Sequence, residues 1–192
     1  MGAYVMELNG IGKRFGEKEV LRGLTVTIPE GEVTALMGAS GCGKTTLLRI
    51  LMGLETADSG TITGLAGRRI SAVFQEDRLL LRLTAEGNLR FVAETEAQRR
   101  EIMPLLAEMG LAEERGAAAD FSGGMKRRLA IARALLAEYD LLLLDEPFRG
   151  LDGETRARVM DAVRRRSAGK TVLLVTHDEA EAHAWTERVI RL

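Results

Sequence analysis

Apolar and polar residues alternate strictly over "LTVTI" (24–28), with Leu24, Val26 and Ile28 on one face and Thr25 and Thr27 on the other. That is the period of a half-buried strand. "YVMELNGI" (4–11) alternates in the same way, so the chain is expected to open with strands. "PEGE" (29–32) reads as a turn and "VTALM" (33–37) as a short buried strand. The period then lengthens, and Leu47, Leu48, Ile50, Leu51 and Leu54 predict a helix from Lys44 to about Leu54. "DSGTITG" (58–64) predicts turn, short strand and turn, and "ISAVF" (70–74) a further buried strand.

From Thr84 to about Asp120 helical spacing takes over. Thr95 with Gln98 three residues on forms a capping-box pattern, and Ile102, Leu105, Leu106 and Met109 recur at helical spacing. Pro104 falls inside this pattern, so either the helix kinks there or a second helix starts near it. A helix from Ser122 to about Glu138, the strand "LLLLD" (141–145), a helix over 154–167 and the strand "TVLLVT" (171–176) follow. A short helix (178–186) and the strand "RVIRL" (188–192) complete the pattern. Strands alternating with helices in the second half predict a mainly parallel sheet with helices on both faces.

Composition narrows the function classes. The 192 residues fit one domain, 1–192, with 46% apolar residues for a core and 29% charged residues for the surface. Lysine plus arginine (27) against aspartate plus glutamate (28) leaves a net charge of −1, so no nucleic-acid partner is expected. The single cysteine, Cys42, excludes an internal disulfide and fits a reducing cytoplasm. No signal-peptide pattern opens the sequence, and no apolar run approaches the roughly 18 residues that span a membrane. If a membrane is involved, another chain is expected to supply the span.

"GASGCGKTT" (38–46) satisfies G-x-x-x-x-G-K-[ST] through Gly38, Gly43, Lys44 and Thr45, between a predicted strand and a predicted helix. Glycines let successive N–H groups point at phosphate oxygens, and the helix start adds positive potential. Lys44 supplies a charge near the β- and γ-phosphates, and the Thr45 hydroxyl can ligate Mg²⁺. In "LLLLDEP" (141–147), Asp145 ends a buried strand where it would hold Mg²⁺. Glu146 follows, where it could polarise a water attacking the γ-phosphate. In "FSGGMKRRLAIARAL" (121–135), Ser122 is an N-cap and Gly123 and Gly124 leave the first helical N–H groups uncovered, a second anion-seeking helix start. One nucleotide needs only one glycine cradle, so the second start could serve the nucleotide of another subunit.

The order glycine loop, "VFQ", "SGG", "LLLLDEP", "GLD" and "VTH" resembles the ATP-binding-cassette (ABC) ATPases over nearly the whole chain. Within that family it resembles the short nucleotide-binding subunit of bacterial importers, near the group handling sulfonate-, taurine- or nitrate-type anions or thiamine precursors. The resemblance implies an α/β fold: a P-loop NTPase core of ABC type with an N-terminal antiparallel β portion and a helical insertion at about 84–120. It implies that ATP lies in the loop Gly38, Ser40, Gly41, Cys42, Gly43, Lys44, Thr45 and Thr46, with Phe15 of "KRFG" stacking on adenine; otherwise Phe15 is a core residue. Gln75 would touch Mg²⁺ and the attacking water, and His177 would hold the water and Glu146 in line with the γ-phosphate. Ser122, Gly123 and Gly124 would contact the γ-phosphate of a second copy, and Asp152 would cross the dimer interface.

The implied activity is hydrolysis of ATP to ADP and phosphate in a head-to-tail dimer. The dimer would drive a separate transmembrane permease from the inner, cytoplasmic face of the membrane, with a substrate-binding protein as an indirect partner. A soluble ABC-type ATPase acting on DNA or the ribosome is the alternative. A regulator that binds ATP without turnover is disfavoured by intact Lys44, Asp145, Glu146 and His177. Three departures stand out: Met125 occupies the place of the family's glutamine after "SGG", the stretch before "VFQ" and the helical insertion are short, and no regulatory C-terminal domain is expected after Leu192. Cys42 is either a small space-filling residue or a redox-sensitive thiol. His183 reads as surface, Trp185 as packing its helix, and "QRR" (98–100) and "RRR" (164–166) as solvated helix faces.

Overall fold

The computed structural model describes residues 5–192, which fall into two compact units. One contains the chain as far as Ile70 together with Asp140–Asp145 and Gly169–Leu192; the other contains Ser71–Tyr139 and Glu146–Ala168.

In the first unit β1 (Val5–Phe15) lies between β2 (Lys18–Pro29) and β4 (Ser59–Thr63), antiparallel to both. This is the expected antiparallel portion; Tyr4, where the first strand was expected to begin, lies outside the described residues. In β2, Ile28 is buried and Thr25 and Thr27 are exposed, as the alternation requires. β1 is irregular: its register against β2 shifts three times between Leu8 and Arg14. Such bulges re-aim side chains locally.

The parallel sheet of this unit runs β6 (Leu141–Asp145), β7 (Thr171–Val175), β3 (Val33–Met37) and β8 (Val189–Arg191) in that order. β6 and β7 are buried along their whole length, which explains their unbroken apolar runs. Register places Leu36 and Asp145 on either side of Val175, so three strands end level. α1 (Lys44–Leu51) stops short of its predicted end. Gly53 turns left-handed (φ 68°), its N–H reaches Ile50 O and the Leu54 N–H reaches Arg49 O at 2.9 Å, closing the helix. Leu54 therefore sits beyond the helix, 58% exposed, and not on its buried side. α6 (Glu179–Trp185) is capped by the Asp178 side chain and packs Ala182 against Ala35 and Met37; His183 is exposed as expected.

β5 (Ile70–Val73) leads from the first unit into the second. It alternates half-buried and buried residues and is not the fully buried strand expected: Ile70 and Ala72 are half-buried, while Ser71 and Val73 face inward, the Ser71 hydroxyl donating to Ala134 O at 2.8 Å. The second unit is helical: α2 (Ala85–Arg90), α3 (Glu96–Glu108), a 3-10 turn (Ala118–Asp120), α4 (Gly123–Leu136) and α5 (Gly153–Arg166). The Thr95–Gln98 capping box forms, and Gln98 Nε2 also donates to Leu136 O at 3.0 Å. Pro104 does not split α3, which runs unbroken through it with Ile102, Leu105 and Leu106 buried. Arg99 and Arg100 are exposed as expected, but Arg166 is not a solvated charge. It pairs with Glu108 at 2.6 Å and Glu101 at 3.1 Å, tying α5 to α3.

Candidate functional site

The glycine loop leaves β3 at Met37 and enters α1 at Lys44. Its backbone tolerates no side chain at two points. A Cβ on Gly38 would lie 2.6 Å from Cys42 Sγ and 2.9 Å from Leu192 O; one on Gly43 would lie 2.7 Å from Leu21 Cδ2 and 2.8 Å from Val20 O. The second contact seats the β1–β2 hairpin directly on the loop. Phe15, at the hairpin end opposite Lys18, is 48% exposed and so is not the core residue that the competing reading required.

Lys44 is buried and folds back on its own loop, donating to Gly38 O at 2.7 Å and Ala39 O at 2.9 Å, with Cys42 Sγ at 3.7 Å. Ser40, Gly41 and Thr45 are exposed, and Cys42 and Thr46 half-buried. Thr45 Oγ1 donates to Asp145 Oδ2 at 2.9 Å, so the helix start and the end of β6 meet. Asp145 is only 4% exposed. Among the described residues no group of three His, Cys, Asp or Glu side chains could hold a metal ion. A hydroxyl and one buried carboxylate are hard oxygen donors, which suit Mg²⁺ completed by water and phosphate oxygens and not a closed transition-metal site. His177 follows β7 by two residues and is exposed; the Thr176 N–H before it donates to Leu36 O, so it emerges beside the strand that feeds the loop. The glycine loop, the Phe15 hairpin, Asp145 and His177 thus gather at the carboxyl ends of parallel strands, the usual place for a ligand in an open α/β sheet.

The second unit carries the other predicted positions, Gln75, Ser122, Gly123, Gly124, Glu146 and Asp152. Ser122 Oγ accepts from Met125 N at 3.3 Å, capping α4, while Gly123 begins the helix with open space beside its Cα. Gly124 lies against Leu151 and Gly150, next to Asp152. The Asp152 side chain caps α5 by accepting from Thr155 N at 3.0 Å, and that backbone bond holds its carboxyl below the usual range. Glu146 has φ 48°, a left-handed conformation that costs about 1 kcal/mol or more for a residue with a side chain. Arg149 Nη1 lies 3.2 Å from Glu146 Oε2. Gln75 is exposed, and its backbone oxygen is held from α4.

That holder was missed in the sequence. Arg127 is 7% exposed and donates to Phe74 O and Gln75 O, each at 2.6 Å, with Asp77 at 3.3 Å. Arg133 adds a bond to Arg78 O at 2.7 Å. The signal was present: Arg127 stands four residues before buried Ile131, on the apolar face of its helix.

The ABC transporter family model matches residues 21–149. The aliphatic sulfonates import ATP-binding protein SsuB 1 of Agrobacterium fabrum is 40% identical over 196 residues, covering 98% of this chain and 71% of that protein. The aliphatic sulfonates import ATP-binding protein SsuB of Delftia acidovorans is 42% identical over 193 residues, covering 99% and 80%. A solved ATP-binding subunit of an ABC transporter superposes with a TM-score of 0.88 at 29% identity, covering 98% of this chain and 85% of that one.

Proposed function

This chain belongs to the ABC transporter family, and we propose that it is the ATP-binding and ATP-hydrolysing subunit of a bacterial importer. Both units then form one nucleotide-binding domain. The observation that carries the proposal is the Thr45–Asp145 bond beside a glycine loop whose lysine donates to the loop's own Gly38 and Ala39 carbonyls. ATP phosphates would take over those Lys44 bonds, and the N–H groups of residues 41–46 would cradle them. Thr45, Asp145 and Gln75 would hold Mg²⁺, which when bound offsets phosphate charge. Glu146 accepts the proton of the attacking water, and His177 keeps that water in line. Ser122, Gly123 and Gly124 offer N–H groups to the γ-phosphate of a second copy in a head-to-tail homodimer, and Asp152 reaches across the interface. Met125 can add no side-chain donor there, because a thioether has none.

Among the described residues no helix is long and apolar enough to cross a membrane. In this reading a separate transmembrane permease supplies the pathway, and the subunit works peripherally on its inner, cytoplasmic face. The import names of the relatives favour this over a soluble ATPase acting on DNA or the ribosome. They also point to aliphatic sulfonates as the cargo, handed to the permease by a binding protein.

Mixing two variants tests the shared site. Lys44→Ala removes the loop charge and Ser122→Arg blocks the helix start, so neither homodimer has a working site. A heterodimer pairs one intact loop with one intact helix start, and the mixture should regain part of the wild-type phosphate release. Full activity of Ser122→Arg alone, at concentrations where it is monomeric, would rule the shared site out.

A further inference from the structure

Lys13 lies two residues before Phe15 on β1, yet its environment is unlike that of a surface lysine. It is 8% exposed, and its ammonium meets Glu55 at 2.9 Å, Asp58 Oδ1 at 3.1 Å and Thr56 O at 2.8 Å. The three partners belong to the short segment after α1, more than forty residues away. The same segment grips β1 twice more: Arg14 N donates to Asp58 Oδ2 at 2.7 Å, and Asp58 N donates to Gly12 O at 2.8 Å. Burying a lysine is costly unless its charge is paired and its N–H groups are satisfied, and here both conditions hold. Lys13 is raised, chiefly by its bond to Glu55, and Glu55 and Asp58 are lowered, Glu55 chiefly by Lys13 and Asp58 chiefly by the Arg14 N–H.

This anchored ammonium sits 5.2 Å from the centroid of the Phe15 ring, within cation–π range. The ring is large, 48% exposed and placed on a hairpin whose Val20 and Leu21 touch the glycine loop. An exposed phenylalanine at a hairpin end would otherwise sample several rotamers. An ammonium fixed by three partners attracts one face of the ring and leaves the opposite face for a flat ligand.

We infer that Lys13 is a positioning residue for nucleobase binding: pinned by Glu55, Thr56 and Asp58, it orients the Phe15 ring so that its free face receives the adenine. The inference rests on the proposal that Phe15 stacks on the base. Lys13 touches neither base nor phosphate, and its effect is confined to ligands that carry a base.

Calorimetric titration of the purified chain with ATP and with inorganic tripolyphosphate separates the two halves of the ligand. Phe15→Ala should weaken ATP and leave tripolyphosphate unchanged. Lys13→Met should weaken ATP about threefold to tenfold, the size of a cation–π contact, again with tripolyphosphate unchanged. Lys13→Arg should recover most of the loss. On the Phe15→Ala background, Lys13→Met should cost nothing further, because the two residues act through one contact. If Phe15→Ala weakens ATP but Lys13→Met does not, the positioning role is overturned while the stacking role stands. Equal losses for ATP and tripolyphosphate in Lys13→Met would also overturn it, showing a general disturbance of the loop. Wild-type ATP affinity in Phe15→Ala would overturn the stacking role and the inference with it.

Discussion

The Thr45 hydroxyl donates to Asp145 Oδ2 at 2.9 Å, joining residues one hundred positions apart at the start of α1 and the end of β6. We propose that these two hard oxygen donors form one edge of a Mg²⁺ site. Thr45→Val and Asp145→Asn should each raise the Mg²⁺ concentration needed for half-maximal ATP hydrolysis, by about tenfold or more if each supplies a charge-assisted contact of ~1.5–3 kcal/mol. A Mg²⁺ titration of phosphate release checks this. Unchanged Mg²⁺ dependence in both variants would remove them from the metal site.

Lys44 folds back on its own loop, donating to Gly38 O and Ala39 O with Cys42 Sγ nearby. Lys44→Ala should lower ATP affinity by about tenfold to a hundredfold, since a charged donor to phosphate is lost. Equilibrium titration with a fluorescent ATP analogue reads the loss directly. Unaltered affinity would place the nucleotide elsewhere.

Cys42 is the only thiol of the chain and lies half-buried inside the glycine loop. Saturating Mg-ATP should slow its alkylation, followed by mass spectrometry. Equal rates with and without nucleotide would mean that bound phosphate does not cover residue 42.

Arg69 holds Asp140 with two side-chain bonds and one backbone N–H, which pulls the Asp140 carboxyl down to about 2. The unfolded value is near ~3.9. The charged form therefore stabilises the fold above about pH 4, and the contribution disappears as the pH falls towards 2. Asp140→Asn should unfold at lower denaturant than wild type at pH 7, and the difference should shrink between pH 4 and pH 2. A constant difference across that window would show that the charge contributes nothing.

Much of the fold was legible because local chemistry constrains it. Only a glycine loop after a buried strand reads as "GASGCGKTT", and the capping box at Thr95 formed as its spacing required. The Leu54 error has a local cause too: Gly53 ends α1 early, whereas periodicity alone carries the helix on. What was not legible depends on partners distant in the chain. Arg166 reads as solvated from its sequence neighbours, whereas its partners Glu101 and Glu108 come from a distant helix, and nothing near Lys13 in sequence announces Glu55 or Asp58. The left-handed backbone of Glu146 is likewise invisible in "LLLLDEP", since residue type gives no hint of φ there.

Glu146→Gln keeps the shape of the side chain and removes the carboxylate proposed to accept the proton of the attacking water. Side-by-side phosphate release and ATP titration of the wild type and this variant separate binding from turnover. The variant should bind ATP as tightly as wild type, elute as an ATP-bound dimer on size-exclusion chromatography and hydrolyse at least about a hundredfold more slowly. Wild-type turnover by the purified Glu146→Gln variant would mean that Glu146 is not the base and that the chain does not hydrolyse ATP in the proposed way.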